Sequence, residues 1–454
     1  MKRSIVLTFA FLFLLACDTE EPASTTPVNP NPFPEVELTL PKISILNVIQ
    51  QSTTEATSTA EVTSSGGALV SSRGVVWSHE PTPNLDDNFT VDGEGLGDFT
   101  AELTGLEKGE IYYVRAYATN KVGTVYSEEL VLTIEGGIYE GSITFSRQNQ
   151  IGAFALNGYE TVTGRISIFG NSVVDLKPLR CLKIIGGELS IDGVANLENL
   201  DGLENLTSIG GSLKIANNIS LETTEALSAL QNVGGRLNIY NNGILEHLSG
   251  LENITTIGED VNISENDALV DLSGLYGITL VDEVNIFGNP ALVSLEGLNN
   301  INSIPVRLTI NNNEQLANIA ALQSLSSVGS LEVIRSHSLQ NLNGLDGLAT
   351  INGRLNLFIN ASLADLTALS NISFIEDELT IASLGGLTSL EGLNNLTSLT
   401  GPMTIVSNEQ LGDFCALLPL FANNGFNGNY TVSANLFNPS QQDLEEGICS
   451  MDDD

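Results

Sequence analysis

The chain is poor in positive charge: its 454 residues hold 17 Lys and Arg against 55 Asp and Glu, a net charge of −38. Nucleic-acid binding draws on a basic face that displaces counterions, so this scarcity argues against such a partner. It equally disfavours direct adhesion to anionic lipid. Histidine is scarcer still. His79, His247 and His337 are far apart, and no His/Cys cluster has the spacing of metal ligands. A Gly-x-Ser-x-Gly elbow is also missing. No metal, no cofactor and no catalytic residues are therefore expected. Cysteine occurs four times and tryptophan once. The apolar stretch Ile5 to Leu15 is too short to span a bilayer permanently.

What is present is a period. An apolar-x-apolar pair returns every 23 or 24 residues, from Ile166/Ile168 and Leu189/Ile191 through to Met403/Ile405. A weaker pair, Tyr430/Val432, follows after 27. Such regularity predicts a solenoid of eleven or twelve coils, in which each coil buries its apolar side only by stacking on its neighbours. Each pair has the period-2 pattern of a short strand, apolar residues inward and the middle one outward. Twelve such strands would build a rod roughly 58 Å long.

Three residues beyond most pairs stands an asparagine: Asn171, Asn218, Asn242, Asn266, Asn289, Asn313, Asn360, Asn408 and Asn435. Val194, Ser336 and Leu384 are the exceptions. Asparagine at a turn tolerates the left-handed region, and stacked amides can bond from coil to coil. After it, apolar residues recur every third position, as in Leu245, Leu248, Leu251, Ile254 and Ile257. That spacing suits tight turns and 3₁₀ pieces rather than an α-helix or a strand. Gly-rich corners such as Gly186-Gly187 and Gly210-Gly211 lead into the next strand.

Runs such as Asn242-x-x-Leu245-x-x-Leu248-x-Gly250-Leu251 and Ile209-Gly210-Gly211-x-Leu213-x-Ile215 resemble the receptor L domain of growth-factor receptor ectodomains. The resemblance implies a leucine-rich-repeat-like, right-handed parallel β-solenoid over about two thirds of the chain. It does not carry growth-factor binding with it, since fold alone does not give function.

The amino-terminal third reads differently. Lys2, Arg3 and the apolar stretch form a secretion signal over residues 1–17. Leu14-Leu15-Ala16-Cys17 resembles the bacterial lipoprotein box, which implies cleavage before Cys17 and its lipidation. Several acyl chains would hold the protein on a membrane. Asp18, Glu20 and Glu21 resemble the surface-export signal of Bacteroidota lipoproteins, implying an outer-membrane, surface-exposed location. Residues 18–37 carry five prolines and read as a tether. Residues 38–136 alternate as strands, and Leu106, Tyr112 and the run Tyr113 to Asn120 resemble a fibronectin type III domain. In that family the tyrosine closes a corner by bonding backbone. The expected architecture is thus all-β: a fibronectin-like sandwich, an amino-terminal cap over 137–165, a solenoid over 166–411, and a carboxy-terminal cap with acidic tail over 412–454. Cys415 and Cys449 flank the last irregular coil and can close it as a disulfide. Cys181 is then a free thiol.

The outward strand positions are rich in amides, with rings beside them. Asn238, Tyr240, Asn262, Asn285, Phe287, Asn311, Asn356 and Phe358 form a candidate ligand face on the central coils, and Phe169 shares its row. Amides beside exposed rings are groups that bind sugars or protein loops. The residue before each pair carries matched charges. Arg165–Glu188, Arg236–Asp260, Glu283–Arg307 and Arg354–Glu378 are expected to pair across strands. The function these features suggest is non-catalytic binding of an extracellular glycan or protein by a surface lipoprotein whose membrane contact is its lipid anchor. The alternatives are a polysaccharide-processing β-helix enzyme or a structural stalk.

Overall fold

The computed structural model describes residues 37–51, 53–134 and 136–451. The expected signal, Cys17, nearly all of the proline-rich tether and the last three aspartates lie outside the described residues.

Alternation of apolar and polar residues builds eight antiparallel strands first. They are β1 (Lys42–Gln50), β2 (Glu55–Ser64), β3 (Ser72–Ser78), β4 (Asn88–Phe89), β5 (Gly97–Thr104), β6 (Ile111–Asn120), β7 (Gly123–Tyr126) and β8 (Leu130–Thr133). One sheet runs β1-β2-β5; the other runs β4-β3-β6-β7, with β8 also on β6. A single apolar core lies between them and includes Val62, Val75, Trp77, Leu103, Tyr112 and Leu132. Trp77 is buried. The Tyr112 hydroxyl accepts a hydrogen bond from the Glu107 backbone N–H at 2.9 Å, tying the turn to the strand that follows it.

From Gly137 the chain changes to parallel pairing. Its main sheet takes one strand from each coil, and successive strands pair in register, Leu189 on Ile166, Leu213 on Leu189, Leu237 on Leu213 and so on to Tyr430 on Met403. Smaller parallel strands, such as Ile184–Ile185, Ser208–Ile209 and Asn232–Val233, stack on an adjacent side. The inward Leu, Ile and Val of all coils merge into one continuous core. Each fully buried aliphatic side chain contributes about 1.5–3 kcal/mol relative to exposure, and none is shielded without its neighbours.

Three expectations change here. The segment 137–165 is more than a cap: Ile143–Phe145 is itself a rung, paired with Ile166–Ile168, so the main sheet follows thirteen coils. The chain also carries helix. Gln148–Ala155 is α-helical and buries Ile151 and Phe154 over the first coil, while Leu418–Ala422 and Gln441–Glu446 close the other end. Phe145, Phe154, Tyr139 and Tyr159 pack edge-on around the first of these helices. Aromatics thus gather where coils run out, because a coil end has no neighbouring coil to cover its leucines.

The third change concerns the repeat unit, which is two coils. Lys177–Leu179, Glu225–Leu227, Ser273–Leu275, Ala320–Leu322, Thr367–Leu369 and Cys415–Leu417 are 3₁₀ turns, and they occur in alternate coils only. The coils between carry Gly202, Gly250, Gly297, Gly344 and Gly392, each with positive φ. A Cβ on Gly202 would lie 2.0 Å from the Leu176 carbonyl oxygen, and one on Gly392 equally close to that of Leu366. Glycine therefore lets each plain coil settle onto the entrance of the 3₁₀ turn beneath it.

Candidate functional site

The asparagine ladder positions everything on the main sheet. Asn218, Asn242, Asn266, Asn289, Asn313, Asn360 and Asn408 are fully buried. Each amide nitrogen donates to a strand carbonyl of the preceding coil, for example Asn242 Nδ2 to the Ile215 oxygen at 3.0 Å and Asn408 Nδ2 to that of Ile381 at 3.0 Å. Each amide oxygen accepts from backbone one coil back: Asn266 Oδ1 from Asn242 N–H at 3.1 Å, Asn289 Oδ1 from Asn266 N–H at 3.1 Å. Val194 and Leu384, which lack an amide, still donate their N–H to Asn218 and Asn408. The ladder satisfies backbone that the turn buries, which is a structural task.

Two details differ from expectation. Asn171 is exposed and lies off the ladder, because Val173 takes the interior place in that coil and shifts the turn by a residue. The left-handed residue is also not the asparagine but the one before the ladder position: Asn217, Asn241, Glu265, Asn312, Arg335, Ile359, Ser383, Ser407 and Ala434 all have φ between 49° and 60°. That conformation swings the asparagine inward.

On the outward side, the eight face residues occupy two adjacent rows. Asn238, Asn262, Asn285 and Asn356 lie in the middle row, and Tyr240, Phe287, Asn311 and Phe358 lie in the row just beyond it. All eight are half-exposed. The structure engages some of them already. Lys214 Nζ sits 5.5 Å from the Tyr240 ring centre and 2.6 Å from Asp192 Oδ2, so that ring is partly covered. Asn285 Nδ2 donates to Asn262 Oδ1 at 2.8 Å. Asn311 Oδ1 and Asn356 Oδ1 are buried without a partner.

The charged row pairs in part as expected. Arg307 joins Glu283 at 2.9 Å and Arg236 joins Asp260 at 3.0 Å. Arg165 and Glu188 do not pair, although the strands that follow them are in register. Arg354 turns away from Glu378 toward Glu332, at 3.9 Å. The Glu332 carboxylate is nearly buried and draws Arg307 as well, at 4.0 Å, while Glu378 accepts from Thr380 Oγ1.

A cavity of about 600 Å³ lies elsewhere, where the antiparallel sheets meet the first coils. Leu106, Lys108, Leu156, Lys177, Arg180 and Cys181 line it. Two of its cations are matched, Arg180 by Glu110 at 3.5 Å and Lys177 by Asp201 at 3.6 Å, while Lys108 lies over the Tyr159 ring. Cys181 is a free thiol against the Lys108 carbonyl, and burial pushes its pKa up, which disfavours the thiolate. Cys415 and Cys449 are joined as a disulfide beside the final coil, their Cα atoms 4.8 Å apart. Among the described residues no group of three or more His, Cys, Asp or Glu is placed to hold a metal ion. The histidines serve separate neighbours, His79 stacking on Tyr112 and His247 lying 3.6 Å from Asp271. Neither the family models nor the curated proteins compared with this chain match it.

Proposed function

We propose that this protein is a lipid-anchored surface protein of a bacterial outer membrane that recognises an extracellular glycan or protein without catalysis. Cys17 is its lipidation site, the fibronectin-like sandwich spaces the coils from the membrane, and the coils form a right-handed solenoid of the receptor L-domain type. The observation that carries the reading is the pair of outward rows, in which half-exposed amides and rings repeat from coil to coil on a rigid sheet. A preformed surface of this kind binds without the ordering cost of a flexible loop.

Two measurements test it. Cys17→Ala should abolish incorporation of labelled fatty acid, and protease treatment of intact cells should remove the coils. Full protection would place the anchor facing inward. Capture of a partner by the full chain in mild detergent should be lost when Tyr240, Phe287 and Phe358 are changed together to Ala. Unchanged capture would remove the face from the proposal.

A further inference from the structure

We infer that the four coils from Glu283 to Phe358 take an uncharged, hydroxyl-rich glycan laid along the stack. This rests on the recognition reading above and adds the ligand's class and its place.

Charge is the first argument. Beyond Lys183 the chain has five cations, Lys214, Arg236, Arg307, Arg335 and Arg354, and all five lie on the main sheet face or its rim. Seven acids share that face: Glu188, Asp192, Asp260, Glu265, Glu283, Glu332 and Glu378. Among the described residues the other acids of this stretch fall on turns, a terminal helix and other sides of the coils, and of these Glu259 also reaches Arg236, at 2.9 Å from the corner. Four of the five face cations are moreover paired with face acids. A near-neutral strip on a chain of −38 offers an anionic polymer no attraction, and a cationic one would be drawn to the other sides.

The second argument is hydrogen bonding. Among the described residues the only buried side-chain polar atoms without a partner are Asn311 Oδ1 and Asn356 Oδ1, and both lie in this patch. An orphaned acceptor is costly and is met only by a donor. Both residues are half-exposed, so a turn about χ2 brings the oxygen to the surface. A sugar hydroxyl donates there; a carboxylate or sulfate cannot.

Spacing is the third. Phe287 and Phe358 bound the patch in one row, with Asn311 and Ile334 between them. Three strand steps separate the rings by about 14 Å. One pyranose unit of an extended β-linked chain advances by close to one strand step, so sugar faces can meet both rings while hydroxyls meet the amides between. Protein interfaces instead centre on a contiguous apolar core, which this strip of Asn and Thr lacks.

The test measures binding of the full chain in mild detergent to a neutral β-glucan, a mannan, a xylan, polygalacturonate and a sulfated glycan. Binding to at least one neutral polymer is expected, changing less than about twofold between low and high salt. Phe287→Ala and Phe358→Ala should each weaken it by roughly tenfold, and N311A with N356A together by a similar factor. Phe89→Ala, an exposed ring on the antiparallel part, should leave it unchanged, and melting temperatures should stay equal. Preference for an anionic polymer, strong salt dependence, or unaffected variants would overturn the inference. If no polymer binds, the glycan class falls. The recognition reading then stands only if the Tyr240, Phe287 and Phe358 triple variant still abolishes capture of a protein partner.

Discussion

At the scale of single residues, the row before the ladder asparagines has the largest unspent stability. Nine non-glycine residues there hold the left-handed conformation, which costs an L-residue about 1–2 kcal/mol and a β-branched one most. Ile359, at φ 57°, is the extreme case. Three equivalent coils place Asn at this point, so Ile359→Asn should raise stability by about 1 kcal/mol, read from the urea midpoint. A fall in the midpoint would show that Ile359 contributes packing that outweighs its strain. The Asp192–Lys214 pair gives a pH signature. Burial alone would raise the Asp192 carboxyl, but hydrogen bonds from Lys214 and Asn217 and the charge of Lys214 outweigh it and hold it low. The hydrogen bond to Asp192 holds Lys214 high. A lowered carboxyl adds stability above its ordinary range and loses it as pH falls through the folded value; the raised lysine adds stability below its ordinary range and loses it above. Asp192→Asn should thus cost up to about 1 kcal/mol at neutral pH, and the difference should close as pH drops below about 4. A gap that stays constant down to pH 2 would refute the linkage.

At the scale of one coil, glycine has two distinct jobs. In the corners it allows close approach: a Cβ on Gly234 would lie 2.2 Å from the Gly210 carbonyl oxygen, a backbone atom that cannot yield. Gly243, in an adjoining turn, would meet nothing nearer than Asp267 Oδ2 at 4.0 Å. Gly234→Ala should cost at least about 2–3 kcal/mol, whereas Gly243→Ala should be neutral or gain about 0.4–1 kcal/mol. Equal effects on thermal unfolding would refute this account of the corners. The corners also explain the uneven period. Val281-Asp282-Glu283 and Val328-Gly329-Ser330 are each one residue shorter than Ile209-Gly210-Gly211-Ser212, and they sit within two of the 23-residue steps.

At the scale of the molecule, charge is segregated by side. Uncompensated acids on the turns repel one another along the whole stack, because the same turn recurs every coil. Added salt should therefore stabilise the protein: the melting temperature should rise between low ionic strength and about 0.2 M NaCl, where the Debye length falls below about 10 Å. A falling melting temperature would mean that the ion pairs of the sheet face outweigh this repulsion.

The period, the strand pairs, the Gly corners and most of the ladder were legible in residue order, because each coil repeats one local problem: which side chains go inward and where the backbone turns. The two-coil repeat was hidden, because the same tripeptide Ser-Gly-Leu makes a plain turn at Ser249-Gly250-Leu251 and a 3₁₀ turn at Ser273-Gly274-Leu275. Its meaning needs the carbonyl beneath each glycine. Other facts depend on the distance between side chains from different coils. Tertiary structure alone decided that Arg354 prefers Glu332, that Lys214 covers Tyr240, and that Asn311 and Asn356 keep oxygens without donors. Period and alternation assign a residue to a row. Only stacked coils settle which neighbours in that row reach one another.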